Sequence, residues 1–374
     1  MTEELALRLV MDKLSPRIEL SLRIEAGGWL ILGKYLKILF LAIPFSIYFR
    51  YTGNELATFF TACLSIVPLA GLMGEATESL ACHTGERMGG LLNATFGNAT
   101  ELLITIFALR AGLFDVVKAS IAGSILGNIL LVLGLSIILG GWKNGEQKFD
   151  RVHFSNQTSL MFLSIIALVI PAVFFATEQQ HHALEEFSLI VAVILLLLYL
   201  AGLWFAKGRP MHDICAVEEE TTHWSINKGI VLLAISTGLI ALESELLVGG
   251  IESVTETLGW SNFFIGIIII PIIGNAAEHF TAITMALKNR MNLSFEIAMG
   301  SSTQIAMLVT PILVLFSFAI GTPMTIMFNY YELVVLALAV VISQFISIDG
   351  ESNWFEGVLL VAAYVIIAIA FFFV

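Results

Sequence analysis

Charge is what this 374-residue chain has least of: Asp, Glu, Lys and Arg make up 13% of it, about half their share in an ordinary soluble domain. That scarcity excludes a soluble globule of this length. Basic residues are fewer than acidic ones, 18 against 30, for a formal charge of −12. Nucleic acid is thereby excluded as a partner, because phosphate binding needs a basic face; an acidic balance suits the handling of cations better. Cysteine occurs only at Cys63, Cys82 and Cys215, with no CxxC pair, so no disulfide framework or thiolate metal centre is expected. HExxH, GxSxG and aspartate-rich phosphate-binding clusters are missing too, which leaves an intramembrane enzyme without its residues. No enzyme activity and no cofactor are expected.

What is present is apolar. Hydrophobic side chains make up 58% of the chain and the mean hydropathy is +0.91. Spanning a bilayer takes about 20 apolar residues per helix, so the chain reads as an all-α polytopic membrane protein. Hydropathy and Gly/Pro punctuation predict about eleven transmembrane helices, over 29–50, 55–81, 88–110, 115–140, 157–177, 186–206, 227–250, 259–287, 293–320, 329–348 and 354–374. The first 27 residues carry Arg8, Lys13, Arg17 and Arg23 without a compact apolar core and cleavage site, and read as a retained cytoplasmic tail. Arg87, Lys143, Lys148, Arg151, Lys207, Arg209, Lys228, Lys288 and Arg290 fall on the side of that tail, against Arg50, Arg110 and Lys118 opposite. The excess of basic residues marks the cytoplasmic side, so the amino terminus is expected inside and the carboxy terminus on the opposite side. Short loops suggest a prokaryotic cytoplasmic membrane, with an organellar or vacuolar membrane as the alternative. Oligomeric state is left open.

Polar residues inside hydrophobic helices are expensive and mark functional sites. Two runs stand out, Gly97-Asn98-Ala99-Thr100-Glu101 and Gly274-Asn275-Ala276-Ala277-Glu278, 177 residues apart. The same offset carries Gly123-Ser124 onto Gly300-Ser301, Leu131-Val132 onto Leu308-Val309, and Glu75 onto Glu252. The expected organisation is therefore a tail and first helix (1–54), a first repeat (55–206), an acidic cytoplasmic linker (207–226) and a second repeat (227–374). Repeats of five helices each begin on opposite sides of the membrane, so they are inverted, the recurrent device of alternating-access transporters.

Such an inversion would bring Glu101 and Glu278 together at mid-membrane. Asn98 and Asn275 precede them by three residues, on the same helical face. Gly97 and Gly274 allow close approach, and Ser124, Ser301, Ser302 and Gln304 offer oxygen from the next helix of each half. An all-oxygen set with two negative charges suits a hard divalent cation such as calcium. At a separation of about 6 Å and an effective dielectric of about 20, the two carboxylates would repel by about 3 kcal/mol. An empty, doubly ionised site is disfavoured, so the pair is expected to hold either a divalent cation or protons. That competition is the physical content of cation/proton antiport.

GNATE at 97–101, GNAAEH at 274–279 and GSSTQ at 300–304 resemble the two signature repeats of the calcium/proton exchanger family, within the calcium/cation antiporter superfamily. The resemblance runs from the second helix onward. It implies an eleven-helix secondary antiporter with Ca2+ and H+ as substrates, Glu101 and Glu278 as ion-binding acids, and Asn98, Asn275, Ser301 and Gln304 as supporting ligands. Thr100 and Ala277 stand where the sodium/calcium branch has proline, which favours the proton-coupled branch. A Na+/Ca2+ or Mn2+/H+ exchanger is the nearest alternative, and a passive cation channel a more distant one.

Other polar residues have two readings each. His279 is either a proton relay or a structural hydrogen-bond donor. Glu75, Glu78, Glu252 and Glu256 line access pathways or are solvated helix ends. Asp213, Glu218, Glu219 and Glu220 in the linker resemble a regulatory acidic helix of the family; a short acidic run is otherwise a solvated face.

Overall fold

A computed structural model describes residues 38–175, 181–206, 224–346 and 348–373; the tail and the linker residues Asp213, Glu218, Glu219 and Glu220 lie outside them. Helix α1 (Ala42–Thr52) ends on Gly53 in the left-handed region, with φ 75°. The side chain of Asn54 then caps α2 (Glu55–Phe96) by accepting from the Ala57 amide. These 42 residues would reach about 63 Å if straight, about twice the hydrocarbon thickness. They are not straight. A Cβ on Gly89 would lie 2.9 Å from the Ala81 carbonyl oxygen, whereas residues eight apart on a straight helix are separated by about 12 Å. The chain folds back between them, and the membrane-length portion is Glu55–Thr84.

The remaining helices are α3 (Ala99–Arg110), α4 (Phe114–Asn144), α5 (Arg151–Phe174), α6 (His181–Ala206), α7 (Ile226–Leu258), α8 (Asn262–Gly274), α9 (Ala276–Leu287), α10 (Met291–Ala319), α11 (Tyr330–Ile346) and α12 (Trp354–Phe372). Among the described residues seven helices are long and apolar enough to cross a membrane, or eight if α8 and α9, bent by 59° at their junction, form one span.

Burial sorts these helices into centre and rim. In the most apolar stretch of α4, 83% of residues are buried, and in that of α10, 61%; in α6 and α12 the figure is 22%. Large side chains on the rim, such as Ile190, Leu197 and Ile366, point outward, as a lipid-facing surface requires. Helices α4 and α10 also share an irregularity. Each carries a π-helical turn, Gly127–Val132 in α4 and Ile305–Val309 in α10, in the register of the 177-residue repeat. Such bulges recur at functional sites.

A two-stranded antiparallel pair, β1 (Gln147–Lys148) and β2 (Glu351–Ser352), joins the α4–α5 and α11–α12 connections. Lys148 lies 2.9 Å from Glu351, and that hydrogen bond and charge hold its ammonium above the ordinary pKa. The Gln147 side chain donates to the Ala286 carbonyl and to Asn289 Oδ1, closing the end of α9. Cys63 is a free, buried thiol.

Candidate cation site

Both signature runs break their helices. Asn98 (φ −102°, ψ 18°) and Asn275 (φ −95°, ψ 8°) occupy the N-cap positions of α3 and α9, with Glu101 and Glu278 in the first turns. An N-cap asparagine ordinarily accepts from its own helix's amides; neither does so here. Their side chains are directed across the molecule instead. The helical spacing of Asn and Glu therefore matters less than the break, which turns a helix N-terminus, with its partial positive charge, onto each carboxylate.

The glycines preceding the breaks make room for the opposite half's acid. A Cβ on Gly274 would sit 2.9 Å from Glu101 Cγ, and one on Gly97 would sit 3.6 Å from Glu278 Oε1. Glu101 is 3% exposed. Its Oε1 accepts from Ser124 at 3.2 Å, and Ser124 in turn accepts from the Asn275 amide at 3.1 Å. The other half pairs the same residue types with the direction reversed: Ser301 hydrogen-bonds Glu278 and gives its own hydrogen to Asn98 Oδ1 at 3.0 Å. Two additions break the symmetry. Asn98 donates to Gln304 Oε1 at 2.6 Å, and Asn128 donates to Ser301 at 3.1 Å.

Three buried oxygens in this centre have no hydrogen-bond partner: Glu101 Oε2, Glu278 Oε2 and Asn275 Oδ1. Unpaired buried acceptors are costly, and a cation or protons would satisfy all three. Among the described residues no group of three or more His, Cys, Asp or Glu side chains gathers. The centre offers two carboxylates surrounded by amides and hydroxyls, an all-oxygen donor set.

Most of the expected residues converge here, with exceptions. Gly97, Asn98, Glu101, Ser124, Gly274, Asn275, Glu278, Ser301 and Gln304 are brought together. Ser302 is not: it is fully buried and its hydroxyl donates to the Ala298 carbonyl of its own helix, because consecutive helical residues cannot share a face. His279 contacts Asn128 Oδ1 at 3.2 Å, one hydrogen bond removed from Ser301. Glu75 is exposed and Glu78 half-buried near the end of the α2 span, while Glu252 and Glu256 are exposed in the last turns of α7; none enters the centre. Asn128 was missing from the expected ligands. Its signal was a lone amide inside the apolar run Gly127–Val132, unmatched in the other repeat, where Ile305 stands.

The sequence profile of the family described as "Sodium/calcium exchanger protein" matches residues 54–208 and 228–373. The chain is 44% identical over 363 residues to a Ca(2+)/H(+) antiporter of Synechocystis sp., covering 91% of this chain and 97% of that protein. It is 48% identical over 318 residues to the Ca(2+)/H(+) antiporter ChaA of Bacillus subtilis, covering 83% and 90%. Its fold is similar to the crystal structure of the selenium-substituted Ca2+/H+ antiporter protein YfkE, with a TM-score of 0.81 and 41% identity over 91% of this chain and 100% of that one.

Proposed function

The chain belongs to the sodium/calcium exchanger protein family, and from that premise we propose that it is a multi-pass membrane antiporter exchanging Ca2+ for H+ by alternating access. The three unpartnered oxygens, Glu101 Oε2, Glu278 Oε2 and Asn275 Oδ1, carry this reading. A buried centre with two acids and, among the described residues, no basic partner is stable when a divalent cation neutralises both charges or when protons do. It is unstable when empty and ionised. Calcium and protons therefore exclude one another, and each transport half-cycle moves one or the other.

The supporting parts follow from the geometry. Ser124 and Ser301 orient the carboxylates, and Asn98 and Asn275 link each half's helix break to the other half's serine. Gln304 anchors Asn98, and His279, held by Asn128 beside Ser301, is the group that would relay protons. In this reading the repeats at 55–206 and 227–374 are inverted, eleven helices cross the membrane, and the amino terminus is cytoplasmic with the carboxy terminus opposite. The membrane is the prokaryotic cytoplasmic one. Glu75, Glu78, Glu252 and Glu256 serve the two access routes, and the linker acids Asp213 and Glu218 to Glu220 act as cytoplasmic calcium sensors.

The test is uptake of radioactive calcium by purified protein in liposomes, driven in separate arms by a proton gradient and a sodium gradient, with manganese as competitor. A proton gradient should drive uptake, and Glu101→Gln or Glu278→Gln should abolish it in protein that remains folded. Sodium-driven uptake, or exchange retained in both variants, would reject the reading.

A further inference from the structure

Helix α1 precedes the repeats and has no counterpart in them. It buries one side chain, that of Ser46, and Ser46 Oγ lies 2.8 Å from Glu243 Oε1. Glu243 stands midway along α7 and is 0% exposed. From α2, Ser65 hydrogen-bonds the same carboxyl group. Glu243 Oε2 has no partner.

Among the described residues the surroundings of Glu243 contain no counter-charge. The groups acting on Glu243 are the Ser46 and Ser65 hydroxyls. On α1, Arg50 lies one turn from Ser46 and pairs with Glu55 of α2 at 3.8 Å, at the exposed end. On α2, Cys63 is a buried thiol two residues from Ser65, and Glu75 and Glu78 lie near the far end of the span. On α3, Glu101 belongs to the cation centre and Arg110 is exposed; on α7, Glu245 is exposed. An isolated carboxylate in the hydrocarbon layer is strongly disfavoured, and ionisable groups there are functional by default.

Proton counting agrees. Each serine hydroxyl has one hydrogen, and each lies close to a backbone carbonyl of its own helix, Ser46 to Ile43 at 2.7 Å and Ser65 to Thr61 at 2.8 Å. A serine hydroxyl that donates to its own carbonyl can only accept from Glu243, and a protonated carboxyl has one hydrogen to give where an ionised one has none. Packing alone does not require an acid here: the position 177 residues earlier is Ile66, also 0% exposed.

We propose that Glu243 is a second proton-binding site, separate from Glu101 and Glu278. Its carboxyl is protonated while α1 is packed on α7, and its proton passes to water when α1 moves away. The extra helix is then the lid of a proton site added to the symmetric exchanger. The proton-binding claim stands without the exchanger reading; only the transport arm of its test rests on it.

The first arm is infrared spectroscopy of the full-length protein at neutral pH with saturating calcium, which keeps Glu101 and Glu278 ionised. A protonated-carboxyl C=O band should be present, with the Glu243 component lost in Glu243→Gln and shifted in Ser46→Ala, which keeps the acid but removes one of its two partners. No band lost in Glu243→Gln, or, should that variant not fold, no shift in Ser46→Ala, overturns the proposal. The second arm is calcium/proton exchange in liposomes, with the parent as control. Glu243→Gln mimics the protonated form and cannot release a proton, so exchange should slow by about tenfold or more while calcium affinity stays within about twofold. Parent-like exchange rate and pH profile in that variant overturns the coupling. Failure of the cation-site reading would appear instead in the parent and in Glu101→Gln.

Discussion

Substitution of Gly123 and Gly300 by alanine separates two positions that the repeat makes equivalent. Both glycines lie inside helices and precede the site serines Ser124 and Ser301. A Cβ on Gly123 would collide with the Ile267 carbonyl group of α8 and lie 2.7 Å from Pro271 Cγ; around Gly300 nothing lies within 4 Å. Carbon atoms pack at about 3.5–4.0 Å, so Gly123→Ala must push α4 and α8 apart by about 1 Å. Overpacking of this kind costs about 1–3 kcal/mol. The neighbour is backbone and α4 is the most buried span, so the upper part of that range applies. Alanine returns up to about 1 kcal/mol of helix propensity at either site. The expected balance is a loss of about 2 kcal/mol for Gly123→Ala and a gain of about 0.5–1 kcal/mol for Gly300→Ala. Thermal unfolding of the calcium-free protein in detergent should rank Gly300→Ala at or above the parent and Gly123→Ala several degrees below. Equal shifts in the two variants would refute the asymmetric packing of α4 against α8.

Gly274→Ala places a methyl 2.9 Å from Glu101 Cγ, so the acid must leave its rotamer; calcium affinity by titration calorimetry should fall about 5–150-fold, the equivalent of about 1–3 kcal/mol, and unchanged affinity would place Glu101 outside the binding centre. Calcium affinity should also fall as pH is lowered, by about tenfold per pH unit for each proton that calcium displaces, because protons occupy the same carboxylates; an affinity independent of pH would separate proton binding from the cation site.

Much of this protein was legible along the chain. Membrane-length helices follow from runs of apolar residues, and the predicted boundary between 55–81 and 88–110 is where Gly89 folds back on Ala81. The two-fold motif at Gly97–Glu101 and Gly274–Glu278 named both acids of the centre because a carboxylate in an apolar helix is too costly to be incidental. Asn128 and Glu243 are also polar residues in apolar runs, but neither has a polar twin in the other repeat, where Ile305 and Ile66 stand. The sequence placed Ser302 with Ser301; helical rotation by about 100° per residue separates them.

Composition and local periodicity thus determined the helical membrane class and exposed the matched motifs that carry Glu101 and Glu278, since hydropathy and helix geometry depend on residues close together in the chain. Tertiary structure alone decided which oxygens are left without partners, which of two matched glycines is pressed against a backbone, and that Ser46 of α1 meets Glu243 of α7. Those are contacts between segments up to about two hundred residues apart, set by how whole helices pack, and nothing in a stretch of neighbouring residues encodes them.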